Sequence, residues 1–205
     1  RSSEKVGRSR QHAYCLRNRQ RLIQNPDANG YAPRSKQTPY EGGIRTPIMF
    51  SWPGHLSPGT REELVSSIDL VPTMLAAGGA DIPKDLPGLN LLPDLKNDTE
   101  IVRDEIFGES FAHDIADIED PEASLLFRWC IQGPWKLLLT YDGEVNRYQS
   151  THPRTEKRPQ LFNLLADPAE TKNLAADNPE IVARLAGKIS DWYPVKKRKV
   201  LTQFE

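Results

Sequence analysis

Two apolar runs separated by a turn constrain the fold of this 205-residue chain more than any other feature. The runs occupy positions 125–131 and 135–141, and Gln132-Gly133-Pro134 lies between them. Short apolar runs joined by a glycine-containing turn are typical of a β-hairpin with buried strands. A further apolar stretch at 159–164 predicts a third strand. Together these segments predict a small antiparallel sheet.

An amphipathic helix is predicted to follow this sheet. The segment Asn178-Pro179-Glu180 has the composition of a helix N-terminus, where proline is tolerated in the first turn. Apolar residues then recur at helical spacing, which gives the helix one face to pack against the sheet. These residues are Ile181, Leu185, Ile189 and Trp192.

Earlier in the chain, the pattern predicts one strand and one helix. Residues 44–53 predict a short strand that ends at Pro53-Gly54, and residues 61–77 predict a helix that ends at Gly78-Gly79. Residues 23–40 and 86–98 are rich in proline, asparagine and glycine and predict loops. The apolar face expected for the helix consists of Leu64, Ile68, Val71 and Leu75.

The charges are unevenly distributed along the chain. The net charge is −1, yet the first 22 residues hold seven basic residues and one acidic residue. These residues have too few apolar positions for a buried face. The chain has no apolar run of about 18 residues, and the start of the sequence has no apolar segment typical of a signal peptide. We therefore expect neither a transmembrane helix nor a signal peptide in this chain.

The two cysteines give little guidance. Cys15 and Cys130 are far apart, and no Cys-x-x-Cys or Cys/His cluster occurs. We therefore expect neither a zinc site nor a disulfide framework. The cellular compartment stays unassigned.

An ordered set of short motifs carries the strongest resemblance to a known family. The set begins with the segment from Ser35 to Pro47, which contains Lys36 and Glu41-Gly42-Gly43-Ile44-Arg45, and continues with Trp52-Pro53-Gly54. Between about residues 23 and 193 the chain resembles the sulfatase family of the alkaline-phosphatase superfamily. The other matching pieces are Ile68–Thr73, Gly79, Gly88, Trp135-Lys136-Leu137, Leu161–Leu164, Asp167-Pro168 and Glu170.

The resemblance implies hydrolysis of sulfate esters of carbohydrate or aryl alcohols. In sulfatases of this kind, a cysteine or serine in Cys/Ser-x-Pro-x-Arg becomes formylglycine, whose hydrated aldehyde attacks sulfur. A calcium ion and basic side chains hold the sulfate oxygens while charge builds on the leaving oxygen. Relatives of this type are often periplasmic or secreted.

The resemblance also assigns roles to individual residues. Lys36 occupies the position of the sulfate-binding lysine, although an isolated lysine is usually an exposed surface residue. His113 is a candidate for the leaving-group side of the pocket, and a surface histidine is an equally good interpretation. Asp69 is expected to form structural hydrogen bonds. The expected structural motif around the turn consists of Glu41, Gly42, Gly43 and Arg45.

Several expected catalytic elements are missing from this sequence. No residue begins Cys/Ser-x-Pro-x-Arg, and Arg19-Gln20-Arg21 stands where the family has Asp-Asn-Gly calcium ligands. Arginine cannot ligate calcium, which needs oxygen donors. We therefore expect no metal ligands in this chain. A codon choice for Asn18–Ile23 read one base later spells Asp-Asn-Gly, so residues 1–22 are predicted to be frame-shifted or disordered.

The fold class that follows is α/β to α+β. A partial alkaline-phosphatase-like α/β core with one strand–helix unit precedes the small antiparallel sheet and its C-terminal helix. The predicted segments are a basic segment (1–22), a catalytic-domain remnant (23–100), a C-terminal subdomain (101–193) and a basic tail (194–205).

Three functions remain open from the sequence. The first is the C-terminal portion of a sulfatase, inactive by itself. The second is a non-catalytic interaction module. The third is a nucleic-acid-binding protein, suggested by the basic segment and by Lys196-Lys-Arg-Lys199, although a short basic run after a terminal helix is usually a solvated tail.

Overall fold

The computed structural model of the chain describes residues 14–17, 34–114, 116–145, 154 and 156–201. The described residues form two units. The first contains residues 14–17 and 47–103, and the second contains residues 34–46 and 104–201. The sequence predicts that residues 34–46 belong with residues 47–100, whereas their contacts place them in the second unit.

The second unit is built on a four-stranded antiparallel sheet, in which the strands lie side by side in the order in which they occur along the chain. The predicted hairpin is β4 (Leu125–Gln132) and β5 (Trp135–Thr140), with Gly133 at a positive φ of 54° in the turn. The predicted third strand is β6 (Gln160–Asn163), and β3 (Glu105–Phe111) lies on the other side of β4. The expectation of a small antiparallel sheet is therefore confirmed.

The C-terminal helix α4 (Pro179–Trp192) packs on this sheet as predicted. Leu185 and Ile189 are fully buried in a core that includes Cys130 on β4. Trp192 departs from the prediction, since it is 44% exposed and stacks on the ring of Phe107 at a centroid distance of 5.2 Å. The spacing of Ile181, Leu185 and Ile189 thus identifies the face of α4 that packs on the sheet, and Trp192 lies at the edge of that face.

The basic tail is bound to the sheet rather than solvated as a whole. The backbone N–H groups of Lys196 and Lys197 donate to the carboxylate of Glu122, and Val200 forms an antiparallel bridge with Tyr141. The lysine side chains of this segment are exposed. The backbone of the tail therefore forms hydrogen bonds at the end of β5, while its lysine side chains remain exposed.

The first unit contains a two-stranded antiparallel sheet. The predicted strand is present as β2 (Ile48–Ser51), and it pairs with β1 (Tyr14–Arg17). Strand β1 was not expected, since this part of the basic segment has no strand periodicity. Residues 1–13 and 18–22 of that segment lie outside the described residues.

The predicted helix over residues 61–77 is only half present. The helix α2 spans Leu70–Ala77, preceded by one 3-10 turn at Ser67–Asp69, and it ends at the predicted glycine pair, with Gly79 at φ +71°. Ile68 and Val71 are 49% and 53% exposed, so the predicted apolar stripe is not a buried face. Residues of the opposite side, Pro72 and Thr73, are buried instead.

Residues 61–66 are not helical, and their side chains bind another segment of the first unit. The guanidinium of Arg61 donates to the carbonyl of Thr99, and the carboxylate of Glu63 accepts the N–H of Ile101. The partner segment includes α3 (Leu92–Asn97), a helix with proline in its first turn where the sequence analysis expected only a loop.

Asp69 forms the structural hydrogen bonds expected of it, at the start of α2. Its buried carboxylate accepts N–H groups of Ser66 and Leu89 and forms a two-point ion pair with Arg103, at 2.6 and 2.7 Å. Burial by itself would raise the pKa of Asp69, but the Arg103 and backbone donors outweigh it, so the pKa of this carboxyl is lowered.

None of the helices described is long and apolar enough to cross a lipid bilayer.

Candidate functional site

Lys36 lies in a tight turn of the second unit. The carbonyl oxygen of Ser35 accepts two hydrogen bonds from Thr38, one from its N–H at 3.1 Å and one from its hydroxyl at 2.6 Å. Arg34 and Gln37 on either side of the lysine have positive φ angles of 57° and 70°. The backbone of Lys36 is therefore held in a compact conformation, and its side chain is half-buried.

The glycines of Glu41-Gly42-Gly43 allow this turn to pack directly on the short helix α1 (Glu41–Ile44). A Cβ atom on Gly42 would overlap with the carbonyl oxygen of Arg34. A Cβ atom on Gly43 would overlap with the carbonyl oxygens of Ser35 and Thr38. The pair is thus required by close approach of two backbones, and not by a positive φ angle.

Helix α1 is attached to the sheet by a buried ion triad of Glu41, Lys136 and Glu170. Lys136 projects from β5, and its side chain is 0% exposed. Its Nζ lies 3.0 Å from Oε1 of Glu41 and 2.8 Å from Oε1 of Glu170. The second contact has ion-pair distance without hydrogen-bond geometry. Oε2 of Glu170 accepts the backbone N–H of Glu41 at 2.5 Å.

Glu170 is the most constrained member of the ion triad. Burial is the largest influence and raises the pKa of its carboxyl, although the Lys136 ammonium and the Glu41 N–H oppose the shift. Its backbone has a positive φ of 56°, which is uncommon for residues other than glycine. The turn is closed by Asp167, whose carbonyl accepts the N–H of Glu170 and whose carboxylate binds Thr171 and Lys172.

Tyr40 attaches the other end of the turn to the same sheet. Its hydroxyl donates to Oε1 of Gln160 at 2.9 Å, and its ring meets Phe162 edge to face at 6.1 Å. The guanidinium of Arg34 lies over the Tyr40 ring at 5.0 Å. The segment that carries Lys36 is therefore bound to β5 and β6 at two positions.

The remaining residues that the sequence assigns to the site occupy different settings. The carboxylate of Glu41 pairs with Lys136, whereas the side chain of Arg45 is exposed and its backbone N–H closes α1 on the carbonyl of Glu41. His113 follows β3, with its ring 59% exposed and Nδ1 3.1 Å from the carboxylate of Asp114. The assignment of His113 to the site stays a prediction.

Lys136 and Glu170 lie in motifs that match the family, although the resemblance assigns no role to either residue. A signal was present in the sequence. Lys136 stands inside an apolar strand, and a lysine is almost never buried without a charged partner. The identity of that partner was not visible in the local sequence.

A calcium site does not fit the described residues. Across residues 34–114, 116–145 and 156–201, no group of three or more His, Cys, Asp or Glu side chains is arranged to hold a metal ion. The carboxylates of the ion triad face a lysine ammonium instead.

Comparison with known proteins relates this chain to one family. The family model described as N-sulphoglucosamine sulphohydrolase, C-terminal, matches residues 33–124, which include Lys36 and α1. Arylsulfatase A of Bos taurus is 33% identical over 155 residues, covering 71% of this chain and 29% of the bovine protein. Arylsulfatase A of Homo sapiens is 30% identical over 164 residues, covering 73% and 31%.

Solved structures agree with the sequence relatives. A structure from work on the metabolism of multiple glycosaminoglycans by Bacteroides thetaiotaomicron has a TM-score of 0.58 at 25% identity, covering 77% of this chain and 31% of that one. A putative sulfatase from Bacteroides fragilis shares the fold, with a TM-score of 0.57, 19% identity and coverage of 75% and 30%. The chain thus spans about three tenths of the length of these relatives. It belongs to the sulfatase family and corresponds to the C-terminal part of that family.

Proposed function

We propose that this chain provides the C-terminal part of a sulfatase that hydrolyses sulfate esters, and that Lys36 binds the sulfate group. The observation that carries the proposal is the attachment of the Lys36 turn to α1 within the segment that the family model matches. The backbone of this half-buried lysine is held in a compact turn.

The chemistry of Lys36 suits a sulfate ester. An ammonium group is a compact positive charge with three donors, and it can bind two sulfate oxygens or the ester oxygen. As the ester bond breaks, negative charge builds on the leaving oxygen, and a nearby cation stabilises that charge. Lys36 thus acts by electrostatic stabilisation and does not attack sulfur itself.

Other parts of the reaction require residues that this chain lacks. No Cys/Ser-x-Pro-x-Arg sequence is present, so the formylglycine nucleophile would come from outside these 205 residues. The described residues do not fit a calcium site, so the ligands of a calcium ion would also come from elsewhere. We therefore propose that the chain by itself does not hydrolyse sulfate esters.

The substrate class is a sulfated carbohydrate or an aryl sulfate. Among the relatives are arylsulfatase A and the N-acetylgalactosamine-6-O-sulfatase of Bacteroides thetaiotaomicron, which is 26% identical over 164 residues. A solved structure with a TM-score of 0.54 is described in complex with its substrate D-glucosamine-2-N,6-O-disulfate. The names of these proteins support both classes.

Two assays test the proposal. Titration of the ¹⁵N-labelled chain with inorganic sulfate is expected to shift the amide signals of Lys36 and Thr38, and Lys36→Ala is expected to abolish the shifts. Lys172→Ala, which removes an exposed lysine, serves as the control and should leave them unchanged. Equal shifts in Lys36→Ala would contradict the sulfate-binding role. Turnover of 4-nitrophenyl sulfate by the purified chain would contradict the proposed inactivity.

A non-catalytic interaction module is the second candidate, favoured by an apolar surface on the first unit. Ile68, Val71 and Met74 at α2 are 49%, 53% and 40% exposed, and they follow one another at helical spacing. A monodisperse oligomer of the purified chain that Val71→Lys converts to monomer would favour this function. A monomer that binds sulfate through Lys36 would favour the first.

We also propose that residues 1–22 derive from a shifted reading frame of a sulfatase gene. With suitably chosen codons, the alternative frame can spell an apolar strand, Met-Leu-Ile-Val-Tyr-Ala-Thr, over positions 12–18, followed by Asp-Asn-Gly. Strand β1 lies at 14–17 within the same positions. Sequencing the locus tests the proposal, which fails if no single-base change opens that frame.

A further inference from the structure

We propose that Lys136 and Glu170 are positioning residues for Lys36, and that they act through helix α1. The proposal rests on the proposed function for the sulfate-binding role of Lys36, but the mechanical link between the residues is independent of it. Lys136 is 95 residues from Glu41 in sequence, and Glu170 is 129 residues from Glu41. The C-terminal sheet would therefore set the position of a substrate-binding lysine that lies far upstream.

The first step is the obligate pairing of the triad charges. The side chains of Lys136, Glu170 and Glu41 are 0%, 1% and 10% exposed. Buried charges without a partner are costly, so removal of Lys136 leaves two carboxylates facing each other without compensation. Glu41 is then expected to leave its buried position, since it belongs to the short helix rather than to the sheet.

The second step is the dependence of α1 on the triad. This helix has only four residues, and Tyr40 at its N-cap makes no side-chain hydrogen bond to it. Helices of this length are not stable alone, because the conformational entropy lost in forming the first turn exceeds the stabilisation from its hydrogen bonds. The backbone N–H of Glu41, which has no acceptor within the helix, instead donates to the carboxylate of Glu170. Both the charge and the first N–H of α1 are thus satisfied by residues of the C-terminal part of the second unit.

The third step transmits the position of α1 to the Lys36 turn. Gly42 and Gly43 touch the carbonyl groups of Arg34, Ser35 and Thr38 with no room for a Cβ atom. Two backbones in such contact move together. A displacement of Glu41 is therefore expected to displace the turn and to change the direction of the Lys36 ammonium group.

Hydrogen exchange of the full 205-residue chain, followed by mass spectrometry, tests the link. In Lys136→Met we expect amides of residues 34–44 to exchange at least about tenfold faster, while amides of β4 keep their protection. The matched control is Lys172→Met, which removes an exposed lysine near Glu170 and should change neither region. Unchanged exchange at 34–44 in a folded Lys136→Met variant would overturn the proposal.

A second pair of variants separates positioning from general destabilisation. Glu170→Gln keeps an oxygen that accepts the N–H of Glu41, and we expect it to retain most of the protection at 34–44. Glu170→Leu removes the acceptor, and we expect it to lose that protection even if Lys136→Met fails to fold. Equal exchange at 34–44 in the two Glu170 variants would overturn the proposal.

Sulfate titration distinguishes failure of this inference from failure of the proposed function. With inorganic sulfate as the probe, Lys136→Met is expected to weaken Lys36-dependent binding about fivefold or more, and Lys172→Met to leave it unchanged. If the wild-type chain shows no Lys36-dependent sulfate binding, the proposed function fails, and the exchange data alone decide whether Lys136 and Glu170 position the turn. Wild-type affinity in Lys136→Met would overturn the inference.

Discussion

Replacement of Asp69 by alanine is expected to destabilise the first unit more than any exposed substitution in it. The carboxylate of Asp69 is fully buried and accepts four hydrogen bonds, two of them from Arg103, whose side chain is 10% exposed. Breaking a buried ion pair by removing one partner costs about 3–5 kcal/mol, since the other charge stays buried. Asp85→Ala, at an exposed position of the same unit, is the control and should cost no more than about 0.5 kcal/mol.

The assay is hydrogen exchange at α2 under conditions in which exchange reports the opening free energy. A loss of about 3–5 kcal/mol corresponds to exchange at least about 100-fold faster at residues 70–77. In a double-mutant cycle, Asp69→Ala with Arg103→Met should destabilise less than the sum of the single variants, because both buried charges are gone. If the destabilisations of the two single variants add to that of the double variant within about 0.5 kcal/mol, the Asp69–Arg103 pair does not carry the stability and the reasoning fails.

The same carboxylate predicts an acid transition in the first unit. The folded pKa of Asp69 is lowered from its ordinary value of 3.8. Its contribution to stability is therefore fully present above the unfolded pKa and is lost as the pH falls through the folded pKa. Asp69→Asn should flatten the pH dependence of α2 protection below about pH 4. An unchanged acid limb in this variant would assign the transition to another group.

Three further outcomes follow from the packing. Gly43→Ala places a methyl group against the carbonyl of Thr38 and should cost about 1–3 kcal/mol, seen as faster exchange at residues 34–44; wild-type protection there would refute the close contact. Burial raises the pKa of Cys130 to about 12. The native thiol should therefore react with a disulfide reagent at pH 8 at least about 1,000-fold more slowly than the thiol of the unfolded chain. Comparable reaction rates would contradict the burial of Cys130. Leu185→Ala should cost about 2–5 kcal/mol, whereas Val71→Ala, at a half-exposed position, should cost less than about 1 kcal/mol, and the reverse order in thermal unfolding would refute the assigned core.

Local sequence patterns were sufficient for the hairpin, the strand β6 and the helix α4 of the second unit, but not for β3 or α1. The hairpin of β4 and β5 follows from two apolar runs and one turn, because a short turn places consecutive strands side by side. The face of α4 that contains Leu185 and Ile189 follows from helical periodicity for the same local reason.

Local patterns failed where side chains bind distant backbone. Residues 61–66 have helical periodicity, yet they are not helical, and the side chains of Arg61 and Glu63 bind residues 99 and 101. The helix α3 was missed because proline in its first turn and neighbouring asparagines are also typical of loops. The exposure of Val71 shows that an apolar stripe predicts a face of a helix but not what covers it.

The candidate site also has some features that follow from the local sequence and others that depend on the tertiary structure. The sequence by itself determined the sulfatase resemblance, the choice of Lys36 and the importance of Glu41-Gly42-Gly43, since each depends on residue types at short spacing. It assigned no role to Lys136, although a lysine inside an apolar strand would bury an uncompensated ammonium group unless it has a charged partner. Only the tertiary structure decided that this partner is the pair of Glu41 and Glu170. The energy of a buried charge depends on which groups the fold brings within about 3 Å of it, and separation along the chain does not specify that distance.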